Sequence, residues 1–467
     1  MAINVSPDAA NPLPGLERRP ESASMVPEGG HSGSATRAIG RPFEFPAVTE
    51  RLNHNVFRYP AKFHPPIARH LIETFSRPGE RILDPFCGSG TALVEALVAG
   101  RSAVGTDIDP LAVFVSRAKI HRYDIAAVRQ AVESMAARTA ALRADDEARW
   151  GGFDKDAPAE TVTTMLVDQA IGIPAIPRIA HWFRRRAQWQ LGSIRKLVRE
   201  EQDEDVRLFL TLCFASIVRG ASNADPVPVS GLEVTSHMLR KEAAGREVDP
   251  YRLFERAMRR TLKATVEFAD ARSGAWEASA TVADARLLSA DDVGEIDAIV
   301  TSPPYLTAVD YYRRHTLEMY WLDLVSDQSD RLELMPAYIG RDRVGGRHLP
   351  DANAIQACSV ADRWLERFTD LKPERTRAFR HYCDGMSRAM SRMYDLVRLG
   401  GKVVVVAGDV TFAGRPVSML ELMTDLADDG LELHDHLWYP IKNRYMSYSR
   451  KNEANIAADR IIVFRRR

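Results

Sequence analysis

The stretch that most constrains this chain runs from Arg81 to Asp107. It holds a short apolar segment, Arg81–Asp84 (RILD), and a turn with two glycines, Gly88 and Gly90. A helix-length apolar segment follows, Thr91–Ala99, closed by Gly100, and then a second apolar segment, Ser102–Thr106, that ends on Asp107. A buried strand that enters a glycine turn and then a helix is how a doubly wound parallel sheet begins, because parallel neighbours need a crossover and the helix supplies it. Glycines at the turn accept positive φ and let backbone approach a ligand closely. The free N–H groups at the start of the helix face the same space. Such a turn suits a nucleotide cofactor, and an acid about 20 residues on is placed for ribose hydroxyls.

The residues of the turn narrow the cofactor. Asp84–Thr91 reads DPFCGSGT, and Thr91 directly follows Gly90, so the third glycine of a dinucleotide fingerprint is missing. Asp84 adds a carboxylate that would repel a pyrophosphate and suits the cationic amino-acid end of S-adenosylmethionine. Cys87, inside the turn, reads as a small packed residue.

A second signature stands far along the chain. The apolar segment Ile296–Ser302 runs into Pro303 and Pro304, giving Thr301–Tyr305 (TSPPY). The carboxyl ends of parallel strands are where open sheets bind ligands. Two prolines fix the backbone there, so the Ser302 hydroxyl and nearby carbonyls can accept the hydrogens of an exocyclic amine. Tyr305 offers a flat face to an extruded base. An amine attacking a sulfonium methyl needs alignment above all. A C5-cytosine mechanism is not expected, since no Pro-Cys nucleophile follows this strand.

These blocks resemble the DNA amino-methyltransferases that act on N4 of cytosine or N6 of adenine. The likeness rests on Tyr59–Pro65 (YPAKFHP), Asp84–Thr91, Gly105–Ala112 (GTDIDPLA), Thr301–Tyr305 and Asp284 in VADARLL. It implies a Rossmann-like methyltransferase sheet and S-adenosylmethionine as cofactor. It further implies that Asp84, Phe86, Gly88, Gly90 and Thr91 line the methionine end, Asp107 takes the ribose, Ile108 packs on the adenine and Asp284 binds its amine. Lys62, Phe63 and His64 would close the pocket, and Ser302, Pro303, Pro304 and Tyr305 would hold the target base. Ser at the first motif position resembles the cytosine-N4 branch, with adenine left open. DNA is the implied partner, with room for a cognate restriction endonuclease. Two departures stand out: the cofactor motifs precede the Ser-Pro-Pro-Tyr block, whereas much of the family has the reverse order, and a long insertion separates Asp107 from Asp284.

At 467 residues the chain exceeds what one core usually organises. The expected organisation is a leader over 1–45, rich in Pro, Gly, Ser and Ala, and a sheet domain in three pieces, 46–123, 276–305 and 374–467. A helical insertion over 124–275 and a second insertion over 306–373, with a role in DNA recognition, interrupt it. Expected strands include Thr281–Asp284, Lys402–Ala407, Leu431–Leu437 and Arg460–Arg465. The four cysteines, Cys87, Cys213, Cys358 and Cys383, lie far apart. No disulfide framework or metal site is expected, and the cytoplasm is the expected compartment. No apolar run has bilayer-spanning length.

Lys+Arg and Asp+Glu both number 63, so contacts to a nucleic acid must come from local clusters. Arg341–Arg347, with Arg341, Arg343 and Arg347, has the composition of a phosphate-contacting loop. Asn443–Lys451 interleaves Tyr445 and Tyr448 with Arg444, Arg450 and Lys451, the pattern expected of a strand-binding surface. Arg184–Arg186, beside Trp182, Phe183 and Trp189, reads equally as a solvated helix face beside core aromatics. His64 and Tyr59 read also as packed residues of an entry loop, and Asp310, Tyr311 and Tyr312 either shape the base pocket or only start a helix.

Overall fold

The computed structural model describes residues 41–43, 52–150, 159–226, 232–272, 274–306, 311–341, 358–440 and 458–467. In chain order the elements begin with β1 (Arg41–Pro42), α1 (Pro65–Phe75), β2 (Arg81–Asp84), α2 (Thr91–Val98), β3 (Ser102–Asp107) and α3 (Pro110–Ile120). Helices alone follow among the described residues: α4 (Ile125–Trp150), α5 (Ala159–Asp168), α6 (Ile179–Trp182), α7 (Arg185–Arg199), α8 (Glu204–Ala221), α9 (Ser236–Ala243) and α10 (Pro250–Ala271). Then come β4 (Ala278–Val282), α11 (Ala290–Val293), β5 (Ile296–Thr301), α12 (Tyr311–Arg314), α13 (Thr316–Trp321), α14 (Gln328–Leu334), α15 (Ser359–Leu365) and α16 (Pro373–Leu396). The last elements are β6 (Val397–Gly408), β7 (Val410–Phe412), β8 (Arg415–Val417), α17 (Met419–Leu426), β9 (Leu431–Pro440) and β10 (Ala458–Arg466).

The main sheet has the order β1-β9-β10-β6-β5-β2-β3-β4. Strands β2 to β6 pair in parallel, and β10 inserts antiparallel to both β6 and β9. The chain leaves β2 for β3 and β4 on one side, then returns past β2 to lay down β5 and β6 on the other. The order therefore reverses between β2 and β5, and a crevice at the carboxyl ends of those two strands is the ligand site of a doubly wound sheet. This is the fold class expected from the sequence.

Burial explains the layers. One sheet face packs on α1, α2 and one side of α3 through Ile67, Leu71, Leu93, Leu97, Val113 and Val404. The other face packs on α16 and α17 through Phe379, Met386, Met390, Leu422 and Val405. The far side of α3 gives Leu111 and Val115 to a separate helical core built around α8, with Phe209, Phe214 and Phe254. A helix between two cores must be apolar nearly all round, and α3 buries Leu111, Ala112, Val113, Val115, Ala118 and Ile120.

Three differences from the sequence reading have physical causes. β4 occupies Ala278–Val282, because Ala103 to Asp107 of β3 pair with Ala278 to Val282; Asp284 thus lies beyond the strand, not at its end. Arg41–Pro42, inside the stretch read as leader, pair with Leu437 and Trp438; residues 1–40, 44 and 45 of that leader lie outside the described residues. The segment after Thr301–Tyr305 divides between the two cores. Leu317, Met319, Tyr320 and Trp321 of α13 are buried in the helical core, while Ala361 and Trp364 of α15 pack on the sheet core. No helix among the described residues is long and apolar enough to cross a membrane.

Candidate active site

The glycine turn is fixed by hydrogen bonds at both ends. Cys87 N–H donates to Thr106 O at 2.9 Å and Gly90 N–H to Cys87 O at 2.8 Å. The Ser116 hydroxyl on α3 donates to Gly88 O at 2.8 Å. Gly88 and Gly90 have φ of 50° and 74°, and a Cβ on Gly90 would come within 2.8 Å of Ser116 Oγ. Neither position admits a side chain without strain. Cys87 is buried beneath the turn, as a packed residue.

Two carboxylates border the cleft that opens above. Asp84 Oδ1 accepts from Thr301 Oγ1 at 2.6 Å and Phe86 N at 3.1 Å. Asp107 Oδ2 accepts from Gly88 N at 2.8 Å, and its Oδ1 accepts from Asp109 N at 2.9 Å. Burial, with Asp107 nearby, pushes the Asp84 carboxyl up to about 7. Burial, with Asp109 nearby, pushes Asp107 up to about 7. Neither acid is ion-paired to a Lys or Arg among the described residues. Asp284 differs: its two oxygens are gripped by the Arg286 guanidinium at 2.5 to 3.0 Å, and Oδ1 also takes Arg286 N at 2.9 Å.

The cleft encloses about 810 Å³ including its open mouth, within the range that holds a nucleotide-sized ligand. Of the residues singled out from sequence, Lys62, Phe63, Asp84, Phe86, Gly88, Thr91, Asp107, Ile108, Asp284, Ser302 and Pro304 line it. The turn after β2 and the Ser302–Pro304 loop after β5 therefore share one cavity at the switch point. Lys62 holds its own loop in place, donating from Nζ to His54 O at 2.9 Å and Asn55 Oδ1 at 2.6 Å. Gly90 sits one residue behind the wall, as the N-cap of α2.

His64, Pro303 and Tyr305 lie apart from the wall. His64 is exposed at the start of α1, where its carbonyl accepts the first helical N–H groups; Ala61 lines the cleft near that place instead. Pro303 is buried. The Tyr305 ring packs against the core on the α16 side. Its hydroxyl donates to Asp459 Oδ1 at 3.1 Å, and Tyr439 donates to Asp459 Oδ2 at 2.7 Å. Asp459 pairs with Gly408 at the carboxyl edge of β6, so the late strand β10 tethers the motif tyrosine.

The structure also supplies walls that the sequence left open or hid. Tyr59 and Tyr311 both line the cleft, stacked with ring centroids 5.8 Å apart. Behind them His315 is buried, 4.8 Å from the Tyr59 ring, and its Nδ1 is 2.6 Å from Asp109 Oδ2. Asp109 caps α3 by accepting from Leu111 N and Ala112 N. Ala337, Tyr338 and Ile339, after α14, close the far side; no local pattern announced them. Phe183 and Trp189 are core residues, and Arg184 pairs with Glu242. Arg341 reaches Met335 O at 3.5 Å. Asp310, Arg343, Arg347, Arg444, Tyr445, Tyr448, Arg450 and Lys451 lie outside the described residues.

The chemistry of this cleft fits S-adenosylmethionine. Two partly protonated acids without cationic partners suit a ligand bearing positive charge and hydroxyls, and a third, guanidinium-held acid suits an amine. Fold and cleft together define a Rossmann-like doubly wound sheet with a nucleotide-sized crevice at its switch point. A family model for DNA methylases matches residues 23–116. The Type II methyltransferase M.MvaI of Kocuria varians is 24% identical over 307 residues, which span 61% of this chain and 60% of that protein. The Type II methyltransferase M.MjaII of Methanocaldococcus jannaschii is 22% identical over 350 residues, spanning 62% of this chain and 66% of its own. A shorter stretch of 70 residues is 41% identical to a tRNA (guanine(10)-N2)-dimethyltransferase of Methanothermobacter thermautotrophicus, covering 15% and 21% of the two chains. The chain is thus similar to DNA methylases over its amino-terminal cofactor motifs and to Type II methyltransferases over about three-fifths of its length, and it spans about three-fifths of the first of these relatives.

Proposed function

We propose that this protein methylates the exocyclic N4 amine of cytosine in DNA. The observation that carries the reading is the meeting of Ser302 and Pro304 with Asp84, Gly88 and Asp107 around one cavity. S-adenosylmethionine supplies an electrophilic methyl group on a sulfonium. Asp84, Phe86, Gly88, Gly90 and Thr91 hold its amino-acid end, Asp107 its ribose, Ile108 and Asp284 its adenine, and Lys62 and Phe63 close over it. The Ser302 hydroxyl and the carbonyls of the proline-stiffened loop accept the amine hydrogens and turn the nitrogen lone pair toward the donor. Tyr305, tethered by Asp459, gives that loop a fixed shape. Alignment of this kind is the main contribution an enzyme makes to methyl transfer.

DNA enters as a flipped nucleotide, with Arg341, Arg343, Arg347, Arg444, Tyr445, Tyr448, Arg450 and Lys451 as backbone and stacking contacts. The ends that bracket the second basic segment, Pro440 and Ala458, pair with each other across β9 and β10. The two long relatives are named Type II methyltransferases, which supports a modification role beside a cognate restriction endonuclease.

Nucleoside mass spectrometry after incubation with unmodified genomic DNA and labelled S-adenosylmethionine tests the reading, and N4-methylcytosine is the expected product. N6-methyladenine would move the target to adenine, and label in tRNA guanosine alone would overturn DNA as substrate. Ser302→Ala is expected to lower kcat by about 100-fold, the order of loss for a misaligned reactant, while cofactor affinity measured by calorimetry stays within about threefold. Full activity in Ser302→Ala would remove the role given to this loop.

A further inference from the structure

A buried cation in the helical layer forms no ion pair among the described residues. Arg314, the last residue of α12, is 5% exposed. Its carbonyl accepts a hydrogen bond from the Arg219 guanidinium, but its own guanidinium has no hydrogen-bond or ion-pair partner among the described residues. The charges around it do not suit a structural ion pair. Arg219 and Arg58 repel it, and Glu318 attracts it. Glu318 accepts from Arg219 Nε at 3.4 Å with one oxygen, while its other, buried oxygen has no hydrogen-bond partner among the described residues and forms no ion pair with Arg314. Arg219 spends its other N–H groups on the carbonyls of Asp225 and Arg314. Burial first, and Arg219 second, push the Arg314 guanidinium down to about 10.

Buried charges are ordinarily paired, and leaving one unpaired destabilises a fold strongly. Such a group makes sense where a ligand completes it. Position shows which ligand. Tyr311, one helical turn earlier on α12, lines the cleft and feels the Arg314 charge; residues three apart share a helix face. Arg58 directly precedes Tyr59, the other half of the aromatic stack, and is exposed.

We infer that Arg314, backed by Arg219 and Arg58, is an oxyanion-binding site at the rim of the cleft, and that it takes the backbone phosphate beside the nucleotide presented to Ser302. The guanidinium fork matches the oxygens of a phosphodiester, and a base rotated out of its stack brings its flanking phosphates to the cavity mouth. The identity of the anion rests on the nucleic-acid reading above; the existence of the site does not. The donor's own carboxylate is the competing oxyanion.

Arg314→Met, which keeps the stem and removes the charge, tests this with three measurements. Melting is followed in phosphate and in chloride at equal ionic strength. Binding to a random-sequence duplex is followed against salt, and S-adenosylmethionine affinity is measured by calorimetry. The variant is expected to melt no lower than the wild type in chloride and to lose the rise that phosphate gives the wild type. Its salt slope for the duplex should be shallower by about one phosphate contact, with cofactor affinity unchanged. A variant that melts lower and keeps the phosphate response would make Arg314 a structural cation and overturn the proposal. A fall in cofactor affinity with an unchanged duplex slope would overturn it in favour of the donor carboxylate. If the wild type binds no duplex yet its phosphate response vanishes in the variant, the anion site stands and the DNA reading falls. Should Arg314→Met not fold, Arg314→Lys is expected to keep the salt slope and bind the duplex several-fold more weakly; unchanged duplex affinity would count against the site.

Discussion

The sheet layer and the helical layer beside it each hold buried ionisable groups that form no ion pair among the described residues. On the sheet side, Asp84 and Asp107 are held by hydroxyl and backbone donors without a cation. In the helical layer, the buried Arg314 guanidinium is attracted by Glu318 but forms no hydrogen bond or ion pair among the described residues. Between them stand the Tyr59–Tyr311 stack and the His315–Asp109 hydrogen bond, which join α13 to the cap of α3. Each side is thus prepared for a ligand of the opposite sign, a cationic donor at the sheet edge and an anionic backbone against the helices. Asp284 shows the contrast inside one wall: Arg286 already satisfies its charge, which leaves it to recognise shape and hydrogen bonds.

The sharpest test of this contrast is Asp107→Ala. It deletes the acceptor that anchors Gly88 N and Asp109 N together with the proposed ribose contact. Cofactor affinity is expected to fall about 100-fold in calorimetry, the order of two charge-assisted hydrogen bonds. Affinity near the wild-type value would mean that the sheet side is not the donor side.

Of comparable size is the dependence on pH. Both acids have folded-state values raised to about 7 from the usual carboxylate range. Without ligand, the folded state therefore holds protons that the unfolded chain releases. The contribution of these groups to stability is fully present below about pH 4 and is lost as pH rises through about 7. Binding of a cationic donor runs the other way, since it needs the ionised forms. Affinity for S-adenosylmethionine should be highest above pH 7 and should drop by up to about tenfold per pH unit per carboxylate below it. Calorimetry between pH 5.5 and about 8.5 checks the trend, and a flat profile would show that both acids stay ionised when free.

A smaller effect is expected where the motif tyrosine meets β10. Tyr305→Phe and Asp459→Asn each break the same tether, worth about 1 kcal/mol, and should lower kcat by about three- to tenfold with cofactor affinity unchanged. Because the two residues form one contact, the double variant should be little worse than either single one. Additive losses would show that Asp459 acts by a route other than Tyr305.

Legibility in the sequence followed locality. The run β2–turn–α2–β3 could be read because each requirement is met within a few residues: apolar strands, glycines where φ is positive, an acid at the strand end. Thr301–Tyr305 could be read for the same reason. Asp284 was found, but its strand was misplaced, because β4 is an edge strand with Thr281 and Val282 exposed and only its pairing with β3 sets its ends. Ala337, Tyr338 and Ile339 reach the cleft by tertiary packing after α14, and Asp459 through the register of β10; neither leaves a pattern in its own neighbourhood. His64 was drawn in by its place in a motif, yet the start of α1 leaves it at the surface. Arg314 was missed since an isolated arginine pair in a sequence usually marks a solvated face.

The path of β10 has a consequence for how this protein comes into being. Although it follows β9 in the chain, it lies between β6 and β9 in the sheet, and it brings Asp459 beneath the motif tyrosine. A nascent polypeptide that has emerged only as far as β9 has a slot where this strand belongs, and the loop that follows β5 lacks its brace. The contact between Asp459 and the motif tyrosine thus waits on a strand that is made after β9 yet takes its place between two strands already formed.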